Sequence, residues 1–168
     1  MKEMRTKGVT MIELIVTIAI IGIFTGLSSI GVGYIQSGNV KSAAQTINSD
    51  LSKLKYDAKS SAATPAMYLY KVGSDYYMYC TAKNITPSTD LNANNGKKLC
   101  NQNCVIKFDG AELGASDYKK IVYKKGSGGF STASTVSGEI TVEKAGGDGV
   151  KYRIVLVKET GKHYIEKY

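Results

Sequence analysis

The chain has 168 residues, with 22 basic and 14 acidic side chains and a net charge of +8. That length holds one domain and an additional segment, not two ordinary domains. A single histidine, His163, removes most Ser–His and multi-histidine metal schemes, and no P-loop, HExxH or CxxC occurs, so nothing in the composition points to an enzyme. Tyr (12) outnumbers Phe (3) and Trp is absent, which makes most aromatic contacts amphipathic.

The chain opens with a basic stretch carrying Lys2, Arg5 and Lys7. Glu13 is then the only charge before Lys41. Residues 14–35 are mostly Ile, Leu, Val, Ala and Gly. As a helix they extend about 33 Å, enough to cross a hydrocarbon core of about 30 Å. The preceding cations predict an N-terminus inside and a C-terminal domain outside. A cleaved secretory signal is the competing reading, with a cut near Ser28 or Ser29. The apolar run is longer than a signal core, and an acid stands at its start. Glu13 has two explanations of its own. It fits a capping box with Thr10, where it also meets the positive end of the helix dipole. It is also a carboxylate beside lipid, which usually marks function or pairing. Gly22 and Gly26 form a G-x-x-x-G pattern that permits close helix approach.

The stretch Lys7-Gly8-Val9-Thr10-Met11-Ile12-Glu13-Leu14-Ile15-Val16-Thr17-Ile18-Ala19-Ile20-Ile21-Gly22-Ile23 resembles the type IV prepilin signature. The resemblance implies cleavage between Gly8 and Val9 by a prepilin peptidase, and N-methylation of Val9. It also implies an assembly role for Glu13, whose carboxylate would neutralise the new amine of a neighbouring subunit. Val9 stands where the family more often has Phe. Ile30 stands where many members have a kinking Pro, with Gly31 and Gly33 nearby to loosen the helix.

Beyond Gly38, Val40, Ala43, Ala44, Ile47, Leu51, Leu54 and Ala58 form a helical apolar stripe. Lys41, Gln45, Asn48, Ser52, Lys55 and Lys59 occupy the opposite face, and Thr64-Pro65 predicts the end. Strands are predicted at 66–72 and 76–81 around a Gly73-Ser74-Asp75 turn, then at 105–108 and 121–124. Three closing strands are predicted at 139–144, 150–158 and 163–168, separated by 146–149 and 159–161. Residues 86–103 and 126–137 read as loops. Within the first loop, Asp90, Asn92 and Asn94 alternate like the start of a calcium loop. Gly96 comes one place late, and Asn101 stands where a bidentate Glu is needed. Cys80, Cys100 and Cys104 predict one disulfide and one free thiol, with the pairing open. A zinc site using these cysteines and His163 is the alternative, without the usual CxxC spacing. The reading is therefore no metal and no cofactor.

The Asp50–Ala58 segment and the closing strands are similar to H-type pseudopilins and FimT-like minor pilins. The expected fold is α+β and pilin-like: one long N-terminal helix, transmembrane in its first half, packed on a C-terminal antiparallel β-sheet domain. The expected parts are a leader at 1–8, a transmembrane helix at 9–38 and a globular domain at 39–168. In that domain the helix covers 39–63 and the β-rich part 66–168. The implied function is a minor pilin or pseudopilin of a type IV pilus, type II secretion or competence filament. Its implied partners are the prepilin peptidase, other pilins, an inner-membrane assembly platform and membrane lipid. Its implied location is the cytoplasmic membrane, then the pilus or pseudopilus. The alternative is a DNA-binding minor pilin, resting on Lys119, Lys120, Lys124, Lys125, Lys151, Arg153, Lys158, Lys162 and Lys167. A solubilising strand surface explains those lysines more simply.

Overall fold

The computed structural model describes residues 9–115, 117–136, 138–147 and 149–168, with the backbone alone for 27–36. The expected leader at 1–8, including Gly8 of the expected cleavage site, therefore lies outside the described residues. So do Ser137 and Asp148, and the side chains of Ile30, Gly31 and Gly33. Contacts divide the chain into two units, 1–35 and 36–168.

Helix α1 covers Met11–Ser60. Thr10 starts it: its carbonyl accepts Leu14 N–H at 3.1 Å, and its hydroxyl accepts Glu13 N–H at 3.4 Å. This is the first half of the expected capping box. From Met11 to Gly26 most of the helix side chains are apolar and exposed. Its threonines bond back to their own helix: Thr17 Oγ1 donates to Glu13 O and Leu14 O, and Thr25 Oγ1 to Ile21 O and Gly22 O. Back-bonding satisfies each hydroxyl without an outside partner. Among the described residues no helix is long and apolar enough to cross a membrane. The transmembrane expectation for 9–38 is not detected in the structure. The described side chains of that stretch stop at Gly26 and resume at Ser37.

The C-terminal unit is built on the second part of α1. Val40, Ala43, Ala44, Ile47, Leu51, Leu54 and Ala58 are all buried, as the stripe predicts. They pack on two antiparallel sheets. The first has strand order β3-β2-β1-β6: β1 Ala66–Val72, β2 Asp75–Thr81, β3 Lys97–Cys100 and β6 Tyr118–Val122. The second has order β5-β4-β7-β8-β9: β4 Cys104–Phe108, β5 Ala111–Glu112, β7 Glu139–Lys144, β8 Lys151–Val157 and β9 Lys162–Lys167. Met67, Leu69, Met78 and Ile121 of the first sheet share one core with Ile106, Phe108, Ile140, Val142, Ile154 and Leu156 of the second. Full burial of such side chains contributes about 1.5–3 kcal/mol each, so α1 is held here by packing rather than by helix propensity. A smaller cluster of Ala66, Tyr68, Tyr70 and Val122 lies apart from that core, with Ile85 and Leu91 against it.

The hairpin falls one residue earlier than expected. Val72 pairs with Asp75, leaving Gly73-Ser74 as a two-residue turn with Gly73 at φ 61°, a conformation glycine adopts freely. The segment 86–103 is not wholly a loop. It contains a short helix, α2 (Pro87–Asp90), and β3, which pairs with β2 through a bulge at Tyr76/Tyr77. Only two of the four β3 side chains are apolar, so no hydrophobic period announced it; pairing with β2 creates the strand. Cys100 and Cys104 form the disulfide, leaving Cys80 free. It closes the short link by which the chain leaves the first sheet for the second.

Candidate assembly site

The described apolar residues at the start of the chain are largely exposed. Val9 is 71% exposed, Met11 83%, Ile12 71% and Phe24 67%. Leu14, Ile15, Val16, Ile18, Ile20, Ile21 and Ile23 are exposed as well. A continuous apolar surface of this kind marks contact with lipid or protein. Around Gly22 and Gly26 an added Cβ would meet nothing within 4 Å, so this face is open to close approach by another helix. Glu13 is exposed in the first turn of the helix, where its charge complements the helix dipole. Thr10 and Glu13 meet at the helix start, and Val9 precedes it in the chain.

The three cysteines separate. The disulfide is buried, while Cys80 reaches the surface in a cleft of about 500 Å³ lined by Asp50, Lys53, Asp57 and Lys97. The cleft walls crowd the Cys80 thiol. That desolvation, with the Asp50 carboxylate second, pushes it up to about 11, so it stays protonated and unreactive near neutral pH.

His163 lies between elements, not beside the cysteines. Its Nε2 is 2.9 Å from Ser52 Oγ on α1, and its Nδ1 is 3.1 Å from the hydroxyl of buried Tyr123. Ser52 Oγ also donates to Asn48 O at 3.1 Å. One proton arrangement satisfies all three groups: Tyr123 donates to Nδ1, and Nε2–H donates to Ser52. Burial holds the imidazole below its ordinary value, and the Lys55 ammonium lowers it further; the Gly161 carbonyl, which can accept from Nδ1 only when that nitrogen is protonated, acts the other way.

The would-be calcium ligands are turned inward. Asp90 Oδ2 accepts Thr86 N–H, and Asn92 Oδ1 accepts the N–H groups of Asn94 and Asn95. These oxygens stabilise the loop itself.

The basic residues fall into two groups. On the second sheet Lys151 joins Lys107 at Glu143, and Arg153 joins Glu139 at 3.5 Å and Glu166 at 2.7 Å. Burial opposes ionisation of Glu143, but hydrogen bonds from Lys107 and Lys151 outweigh it and hold the carboxyl below its usual range. That face is a neutralised ladder. The second group gathers where the end of α1, the 124–129 loop and the β8–β9 turn meet. Lys55 Nζ donates to Thr160 O and Gly161 O. Lys125 Nζ reaches Ala62 O at 3.3 Å. Lys55 and Lys59 both lie against Gly128. Burial and the charges of Lys59 and Lys162 hold Lys55 below its ordinary value. The described ion pairs include none of Lys55, Lys59, Lys124, Lys125, Lys158 and Lys162. Lys55 and Lys59 lay on the polar helix face in the sequence, so their joining this group is visible only in three dimensions.

Residues 4–29 match the prokaryotic N-terminal methylation motif. The match falls on the same residues as the prepilin-like signature read from the sequence. No curated protein and no solved structure matches the chain.

Proposed function

We propose that the chain is a minor pilin or pseudopilin subunit of a type IV pilus, type II secretion or competence filament. The observation that carries this is an exposed, apolar helix start, beginning at Met11 two residues after Val9 and carrying a single acid, Glu13. Cleavage after Gly8 creates an amine at Val9, which methylation leaves cationic. An unpaired amine and an unpaired carboxylate are both costly near lipid. Glu13 of one subunit neutralises Val9 of the next and so rewards one axial offset between helices. Before assembly, residues 14–35 hold the subunit in the cytoplasmic membrane as a single span, N-terminus inside. The span rests on the hydropathy of the sequence.

Mass spectrometry of the processed protein tests the reading. A mature chain beginning at methylated Val9 supports it, and any other start refutes it. The lysine group at the end of α1 favours a second reading, a subunit that also binds DNA through its phosphates. Gel shifts at two salt concentrations test this: binding that weakens steeply with salt, and is lost in Lys59→Glu/Lys162→Glu, is the supporting result.

A further inference from the structure

The second sheet ends at β9 with a free edge. Lys151 N–H donates to Tyr168 O at 3.3 Å, and Tyr168 N–H donates to Lys151 O at 3.1 Å. Bonded and non-bonded pairs alternate along an antiparallel ladder. With Arg153 opposite Glu166, Val155 opposite Tyr164 and Val157 opposite Lys162, the backbones of Glu166, Tyr164 and Lys162 face β8. Those of His163, Ile165 and Lys167 face outward, and no described residue hydrogen-bonds them. The edge at β6 is handled differently. There Thr135 Oγ1 accepts Lys120 N–H at 2.7 Å and Ser134 Oγ accepts Val122 N–H at 2.9 Å. The N–H groups of Ser131 and Thr135 donate to the carbonyls of Val122 and Lys120. The β6 edge is closed by the chain itself, and the β9 edge is open among the described residues.

Open edges are commonly guarded by charge, and Lys162 and Lys167 stand at the two ends of β9. The guard works against most strands but not against a second β9. Lys162, Tyr164 and Glu166 share one face of the strand, away from the core. Around a twofold axis at Tyr164, an antiparallel copy sets Lys162 opposite Glu166 of the second copy, on both sides of the axis. The two Tyr164 rings meet at the centre. The outward backbone of His163 pairs with that of Ile165 of the second copy, again on both sides. Glu166 already accepts Arg153, which also reaches Glu139. The incoming Lys162 thus extends an existing line of alternating charge. Opposite charges directly across a non-bonded pair are favourable, and like charges there are not.

We infer that β9 is a pairing edge for a second copy of this chain, antiparallel and centred on Tyr164. The contact is isologous and closes on two copies. It is therefore separate from the open-ended contacts of a filament and does not rest on the subunit reading.

Cysteine cross-linking of the full chain in detergent micelles tests it, in a Cys80→Ser background. Opposed non-bonded residues hold their Cβ atoms about 4.5–5.5 Å apart, close to disulfide reach. Tyr164 is 47% exposed, so Tyr164→Cys leaves the core intact. Oxidation is expected to yield dimer at least about tenfold above Tyr118→Cys, an exposed control on β6 in the other sheet. That control also accounts for association through the N-terminal helices. Adding Lys162→Glu is expected to reduce the yield to the control level. Mixing Lys162→Glu chains with Glu166→Lys chains restores it, because opposite charges again face each other. Lys162→Glu alone decides the matter if Glu166→Lys fails to fold without its Arg153 partner. A Tyr164→Cys yield no higher than the control, or indifference to charge reversal, overturns the proposal. Preferential cross-linking at Ile165→Cys overturns the register, and with it the charge pairing.

Discussion

The two parts of α1 use the same residue types to opposite ends. Between Val9 and Gly26 the apolar side chains surround the helix and are exposed. Between Val40 and Ala58 they form one stripe and are buried. The later part alternates with polar residues at helical spacing, so it has one face to bury and one to solvate. The earlier part has no polar face, so only lipid or other helices can cover it. Hydrophobic content alone therefore says little. Its angular distribution decides whether a helix completes its own domain or needs a partner.

The largest expected effect breaks the first part without touching the second. Glu13→Ala should leave cleavage and membrane insertion intact while abolishing incorporation into filaments, read by blotting filament and membrane fractions. Removing one partner of a buried pair costs about 3–5 kcal/mol. Normal incorporation would end the proposed role for Glu13. The comparison is sharpened by matched truncations. Leu51→Ala should destabilise the C-terminal unit by about 2–5 kcal/mol, whereas Ile15→Ala should leave its thermal transition unmoved, both followed by circular dichroism. Equal effects would mean the two parts do not differ as described.

Smaller effects follow within the C-terminal unit. Opening the Cys100–Cys104 link with a reductant should lower stability by about 2 kcal/mol on the loop-entropy estimate for so short a loop, measured by denaturant unfolding. Cys80→Ser should have almost no effect on that titration. The smallest expected effect is on pH dependence. His163 is held below its unfolded value near 6.5, so the unfolded chain binds its proton first. Its stabilisation is present above pH 6.5 and is lost as pH falls through the lowered folded value. His163→Gln should flatten the melting temperature across that window. Glu143, also lowered, acts at more acid pH: its contribution is present above its unfolded value near 4.5 and is lost below it.

Much of the fold was legible because it depends on local period. The stripe from Val40 to Ala58, the Gly73-Ser74 turn and the strands near 105, 139, 151 and 163 all carry spacing that a one-dimensional pattern preserves. β3 and β5 were missed because each is a strand only through its neighbour: β3 lies against β2, and β5 pairs at just Glu112 and Ala111. The residues proposed for assembly are read from the sequence for a different reason. Gly8, Val9, Thr10 and Glu13 are adjacent in sequence, and the chemistry proposed for them needs no long-range contact within the chain.

The sequence by itself determined that the first part of α1 must be covered by something other than its own domain. Composition and the single placed acid suffice for that. Only the tertiary structure decided which cysteines pair, that His163 bridges Ser52 and Tyr123, and which lysines are neutralised. It also decided that the β6 edge is closed while the β9 edge stays open among the described residues. Each of these depends on residues far apart in sequence meeting in space, and neither local spacing nor composition records such meetings.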